Sequence, residues 1–167
     1  MTHVAAPLRI GRAILAGSIA LAVNFACLLS ADALGIVTAR GGFQRLVKLW
    51  LGPVLETIGI GSAWRAWALP DPGGAVFMVG FKIVVGLGMA LAYAAVVGRL
   101  PGRTLVKGLW AAAGIWLLNA GLVLPLLNEG FAGARSLTAL GITVFALAHT
   151  AFFVVLALVY TRHAHRG

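Results

Sequence analysis

Residues Leu105 to Leu127 read LVKGLWAAAGIWLLNAGLVLPLL. The run is introduced by Arg99, Arg103 and Lys107, carries one amide, Asn119, and is expected to end in a proline turn at Pro125. At about 1.5 Å of rise per helical residue, roughly twenty apolar residues cross the ~30 Å of a bilayer's hydrocarbon. Three stretches of similar length lie beside it, at about 13–33, 75–97 and 137–160. With the first stretch taken as about 105–127, the pattern predicts an all-α, polytopic membrane protein: four transmembrane helices in a single membrane domain over residues 1–167.

Composition agrees. Apolar residues make up 61% of the chain and charged residues 10%, with a mean hydropathy of +1.00. Soluble domains carry about 25% charged residues, and an ionisable side chain in hydrocarbon costs several kcal/mol. The formal net charge of +9 raises the question of nucleic acid. The cations flank the apolar stretches instead of gathering on a soluble module, so they read as orientation signals, and nucleic acid is not an expected partner. The single cysteine, Cys27, excludes an internal disulfide and a redox pair, and reads as a small packing residue.

The N-terminal run has a second reading. A basic start, an apolar stretch and Ala31-Asp32-Ala33 also fit a secretory signal. Yet Ala13, Gly17, Ala20, Asn24, Cys27 and Ala31 form one small-residue helix face suited to close packing. A disposable signal needs no such face, so a retained first span is expected.

Between the first two spans, residues 43–58 place apolar side chains at 43, 46, 47, 50, 51, 54, 55 and 58. That period predicts an amphipathic helix, external and lying in the membrane interface, with a kink at Pro53. Trp64 and Trp67 follow as interfacial anchors, and 70–74, PDPGG, is a turn. The second span carries Gly86, Ala90, Ala94 and Gly98 at steps of four. Lys82 lies about two turns from its outer end, a candidate interfacial cation whose ammonium can snorkel to the headgroups.

Orientation follows from the loops. The N-terminus, the 98–107 turn and the C-terminus hold Arg9, Arg12, Arg99, Arg103, Lys107, Arg162 and Arg166 without an acid. The opposite side holds Arg40, Arg45, Lys48, Arg65, Lys82 and Arg135, together with Asp32, Glu56, Asp71 and Glu129. Both termini are therefore expected in the cytoplasm. The preference for Arg over Lys and the abundance of Ala and Gly fit a GC-rich bacterial genome, and the expected location is a bacterial inner membrane.

Asn24, Asn119 and His149 each fall near the middle of a span, at similar depth. Unpaired polar groups are costly in lipid, so the three are expected to turn inward and clasp neighbouring helices. They are also the candidate midplane binding site. His149 is the one histidine inside a span; His3, His163 and His165 lie in the tails, so a bis-histidine haem site is not expected. No Asp or Glu is central to a span, and no phosphate loop, HExxH or nucleophile elbow occurs. The expectation is no enzyme, no cofactor and no metal. Glu56 with Arg45 or Lys48 is the one set from which lipid chemistry could be built, and a solvated helix face explains it better.

Lys107-Gly108-Leu109-Trp110, Trp116-Leu117-Leu118-Asn119, Leu124-Pro125-Leu126-Leu127 and Gly130-Phe131 resemble a pattern in small four-helix bacterial inner-membrane proteins of a domain-of-unknown-function family, over about residues 80–160. In that family a histidine like His149 lies in the last helix, followed by a Tyr-Gly pair where this chain has Ala151-Phe152-Phe153. The resemblance implies a fold and no activity.

The leading functional expectation is a non-catalytic structural or accessory subunit of a larger respiratory, photosynthetic or transport complex. Its partners are the lipid bilayer and other membrane subunits, or a second copy of the chain. The alternative is a protein that binds or moves a small molecule, cofactor or proton at His149, Asn119 and Asn24.

Overall fold

The computed structural model describes residues 6–39 and 41–164; His3, Arg40, His165 and Arg166, counted above, lie outside them. The described residues are helical with short connections. α1 runs Ala6–Ala33, α2 Gly42–Thr57, α3 Ile60–Ala66, α4 Ala75–Val96 and α5 Thr104–Leu118. A π-helical turn, Asn119–Val123, joins α5 to α6, Leu124–Leu126. A 3-10 turn at Phe131–Gly133 precedes α7, Ala139–Ala164. Among the described residues four helical segments are each long and apolar enough to cross a membrane, Arg9–Ala33, Ala75–Val96, Thr104–Leu126 and Ala139–Arg162, and the bent pair α2–α3 reaches that length and apolarity only when taken together. The chain is a membrane protein with transmembrane helices.

α1 and α7 form the central pair, α4 packs on α1 and meets α7 where the Tyr93 and Tyr160 rings lie 6.1 Å apart, and α5 packs on α7. Small residues let these backbones approach. A side chain at Gly17 would put its Cβ 2.6 Å from that of Ala90, and one at Gly86 would collide with Leu21. At Gly108 an added Cβ would lie 2.9 Å from the Phe153 carbonyl of α7. Lipid is as apolar as leucine, so such close packing, and not burial from water, holds these helices together. Ala16, Ala20, Ala90, Ala112, Phe152, Leu156 and Ala157 fill the centre.

The third span closes at its proline: helix ends at Leu126, one residue past Pro125, and the Asn128 N–H donates to the Pro125 carbonyl at 2.9 Å in the turn that follows. Proline offers no N–H to the carbonyl four residues back and its ring crowds that carbonyl, here Gly121. Gly121 lies within the widened π turn, which absorbs the mismatch. Pro53 lies inside the continuous helix α2, and the sharp break, 89° between α2 and α3, falls at Ile58–Gly59. Gly59 has φ +81°, a left-handed backbone that glycine adopts without strain.

α2 and α3 are tied to the ends of the spans on the side that carries the acids. Arg45 pairs with Glu129, and Gln44 Nε2 donates to the Pro72 carbonyl at 3.0 Å. Phe43 and Trp64 meet Phe81 and Phe77 of α4 at ring separations of 5.9 and 5.8 Å. Gly42 sits under Leu124 and Val123, where an added Cβ would meet the Leu124 side chain at 3.2 Å.

Candidate functional site

The midplane residues lie on three of the spans. Small neighbours turn Asn24 inward on α1, where it is 6% exposed. Its Nδ2 donates to the Ala148 carbonyl of α7 at 2.9 Å. That carbonyl belongs to a helix and has a second lone pair to offer. The bond joins the two central helices one residue before His149.

His149 Nδ1 lies 3.0 Å from the Phe145 carbonyl one turn earlier, and the Phe145 ring meets the imidazole edge-on at 4.4 Å. A carbonyl only accepts, so Nδ1 carries the hydrogen. In the neutral ring Nε2 is then the acceptor, the atom available to a proton or ligand. Lys82, expected to reach for the headgroups, places its ammonium 4.3 Å above the Phe25 ring of α1. A cation over an aromatic face is worth about 0.5–2 kcal/mol, more where water is excluded. Phe25 follows Asn24 in the chain, so adjacent residues of α1 meet Lys82 of α4 on one side and the residue before His149 on α7 on the other.

Asn119 does not join them. Its Nδ2 donates to Ile115 of its own helix at 3.1 Å, and it opens the π turn. An amide that bonds back into its own helix competes with the backbone ladder, which suits the position where that ladder widens. Among the described residues no cluster of three metal-ligating side chains occurs.

Two shallow hollows open at the surface, and none of the three midplane residues lines either. One, of about 220 Å³, is apolar and lies between Leu46, Val47, Trp50 and Leu51 of α2 and Leu126. The other, of about 330 Å³, lies at the basic end between the close of α4, the start of α5 and the end of α7. Sequence reasoning used Arg103 and Lys107 only as orientation signals; their proximity to Tyr160 and Thr161 depends on the α5–α7 packing. It also missed the hydroxyls of Thr38 and Tyr93, both buried without a hydrogen-bond partner among the described residues. Such burial leaves no periodic trace in a sequence.

Comparison with protein-family models, curated proteins and solved structures found no match to this chain.

Proposed function

We propose that this chain is a small non-catalytic subunit of a larger membrane assembly, which docks through the outer face of α4. One observation carries the reading. Gly80 and Gly88 lie on the side of α4 turned away from α1, with nothing within 4 Å of where a side chain would be, and Val84 between them is 70% exposed. Glycine in a helix costs about 1 kcal/mol relative to alanine. On a face that meets only lipid nothing offsets that cost, whereas a second helix approaching closely does. The inward small residues, Gly86 and Ala90, are already used by α1.

In the same reading the protein resides in a bacterial inner membrane with both termini in the cytoplasm, as the acid-free basic loops favour. It belongs with the small four-helix family that its third and fourth spans resemble. α2 lies in the outer interface: Trp50, Leu51, Val54 and Ile58 are all more than half exposed, or close to it, and headgroup-level lipid covers them.

A second reading rests on His149. Its Nε2 is an acceptor at midplane depth, an arrangement suited to a small solute or a proton. Purification from the native membrane in mild detergent, followed by native mass spectrometry and an absorption spectrum, separates the two. A stoichiometric complex that Gly80→Leu and Gly88→Leu disrupt is the expected result. A solitary chain carrying a chromophore or defined small molecule, lost in His149→Ala, overturns the subunit reading in favour of the second.

A further inference from the structure

The hollow at the basic end has a chemistry of its own, independent of the docking face. It opens where three spans meet the headgroup level, and its floor is the turn between α4 and α5. Lys107 is fixed there: its Nζ donates to the Val97 carbonyl at 3.0 Å. Val97 closes α4, and a cation at a helix C-terminus satisfies an orphan carbonyl and opposes the dipole. Two ammonium protons remain for another acceptor. Arg103 stands at the N-cap of α5, where no side chain caps the helix, and its guanidinium has no partner among the described residues. The N–H groups of the first turn have no acceptor within the helix. Thr104 and Tyr160 add hydroxyls along the wall, whereas Thr161 donates its proton to the Ala157 carbonyl of its own helix at 2.9 Å.

Donors therefore converge on the hollow from two helices, and sequence segments 98–107 and 160–167 contain no acid to neutralise them. A phosphate has the complementary form: several acceptor oxygens, a negative charge, and a fit to the planar fork of arginine. At this depth the abundant phosphates belong to lipids, and basic pockets between transmembrane helices hold anionic headgroups. Tyr160 is an interfacial aromatic, suited to the boundary between phosphate and acyl chain. We infer that the hollow between Arg103, Lys107 and Tyr160 is a binding site for the phosphate of an anionic phospholipid, which fastens the α4–α5 turn to the end of α7.

The test uses the full chain in mild detergent, with bound lipid counted by native mass spectrometry. Phosphatidylglycerol, phosphatidylcholine and inorganic phosphate are added in separate titrations. Wild-type protein should retain phosphatidylglycerol over phosphatidylcholine, and excess inorganic phosphate should not displace it. Arg103→Gln and Lys107→Gln should each weaken retention about fivefold, the worth of one cation near an anionic surface. Arg99→Gln and Arg162→Gln remove the same charge from the same end without touching the hollow, and should change little. Lys107 also holds Val97, so if its variant misfolds, Arg103→Gln decides the matter, with Tyr160→Phe as the mild companion. Equal losses in all four charge variants, or no headgroup preference, would mean a diffuse basic surface and overturn the site. Displacement by inorganic phosphate would overturn the lipid as its occupant.

Discussion

The first two spans have the same mean hydropathy, 2.1, yet in the 18-residue apolar stretch of each 39% of the residues are buried on α1 against 11% on α4. Hydropathy measures preference for lipid over water, and lipid and protein interior are equally apolar. It therefore reports that both helices cross and says nothing about which one the others surround. Side-chain size and polarity decide that. α1 presents Ala13, Ala16, Gly17, Ala20 and Asn24 on its buried faces, small enough for α4 and α7 to close on it from two sides. α4 offers Gly86 and Ala90 to one neighbour and leaves Gly80 and Gly88 open.

The largest effect should come from exchanging those roles. Gly17→Leu forces a branched side chain into the α1–α4 seam, where even a Cβ is too close to Ala90. Overpacking a tight interior costs about 1–3 kcal/mol, and here the obstacle is backbone-borne, so the upper part of that range applies. Gly88→Leu has open space and should leave folding intact in detergent. Thermal unfolding of the two variants, side by side, checks this. If both melt alike, α4 is no less enclosed than α1 and the contrast fails.

Much of this contrast was legible in the chain. The small faces of 13–31 and 86–98 were visible as spacing, and each span was placed to within a few residues except the start of α1. That start was set too late because Arg9 and Arg12 end an apolar window but not a helix; hydropathy sees lipid, whereas helix bonding continues into the interface. Pro125 marks the end of the third span to within a residue, because a proline cannot prolong the hydrogen-bond ladder. The sharp bend between α2 and α3 depends instead on Gly59, which takes a positive φ, and no residue pattern announces the π turn before Pro125. Asn24 does turn inward, whereas His149 is half-buried and bonds within its own helix. Their partners could not be picked out, since the acceptors are the carbonyls of Ala148 and Phe145, and every residue has a carbonyl.

A smaller effect separates the two asparagines. Asn24 bonds across to α7, whereas Asn119 bonds within its own helix. Asn24→Leu loses an interhelical hydrogen bond worth about 0.6–2 kcal/mol in a membrane. Asn119→Leu gives up an in-helix bond at the π turn and should cost less. Unfolding by denaturing detergent, followed by tryptophan fluorescence, ranks them. Equal or reversed costs would show that the π turn, and not the α1–α7 seam, is where an amide matters most.

The smallest effect lies at the α2–α3 bend. Arg65 forms two hydrogen bonds to Glu56, at 2.7 and 3.0 Å, and both side chains are exposed. Those bonds, helped by the guanidinium charge, hold the Glu56 carboxyl below its ordinary value of 4.5. A carboxyl with a depressed value in the folded protein contributes stability that is fully present above its unfolded value. The contribution is lost as pH falls through the lower, folded one. Water screens an exposed pair, so the global transition should hardly move. The readout is local: hydrogen exchange of the Ile58–Ile60 amides should rise, after correction for intrinsic rates, only when pH drops below that ordinary carboxylate value, and Glu56→Gln should abolish the step. A step that survives in Glu56→Gln assigns the acid sensitivity to Asp71 or Glu129 instead. No step in either protein would mean that the bend is held by the Gly59 backbone and the aromatic contacts to α4, which do not titrate.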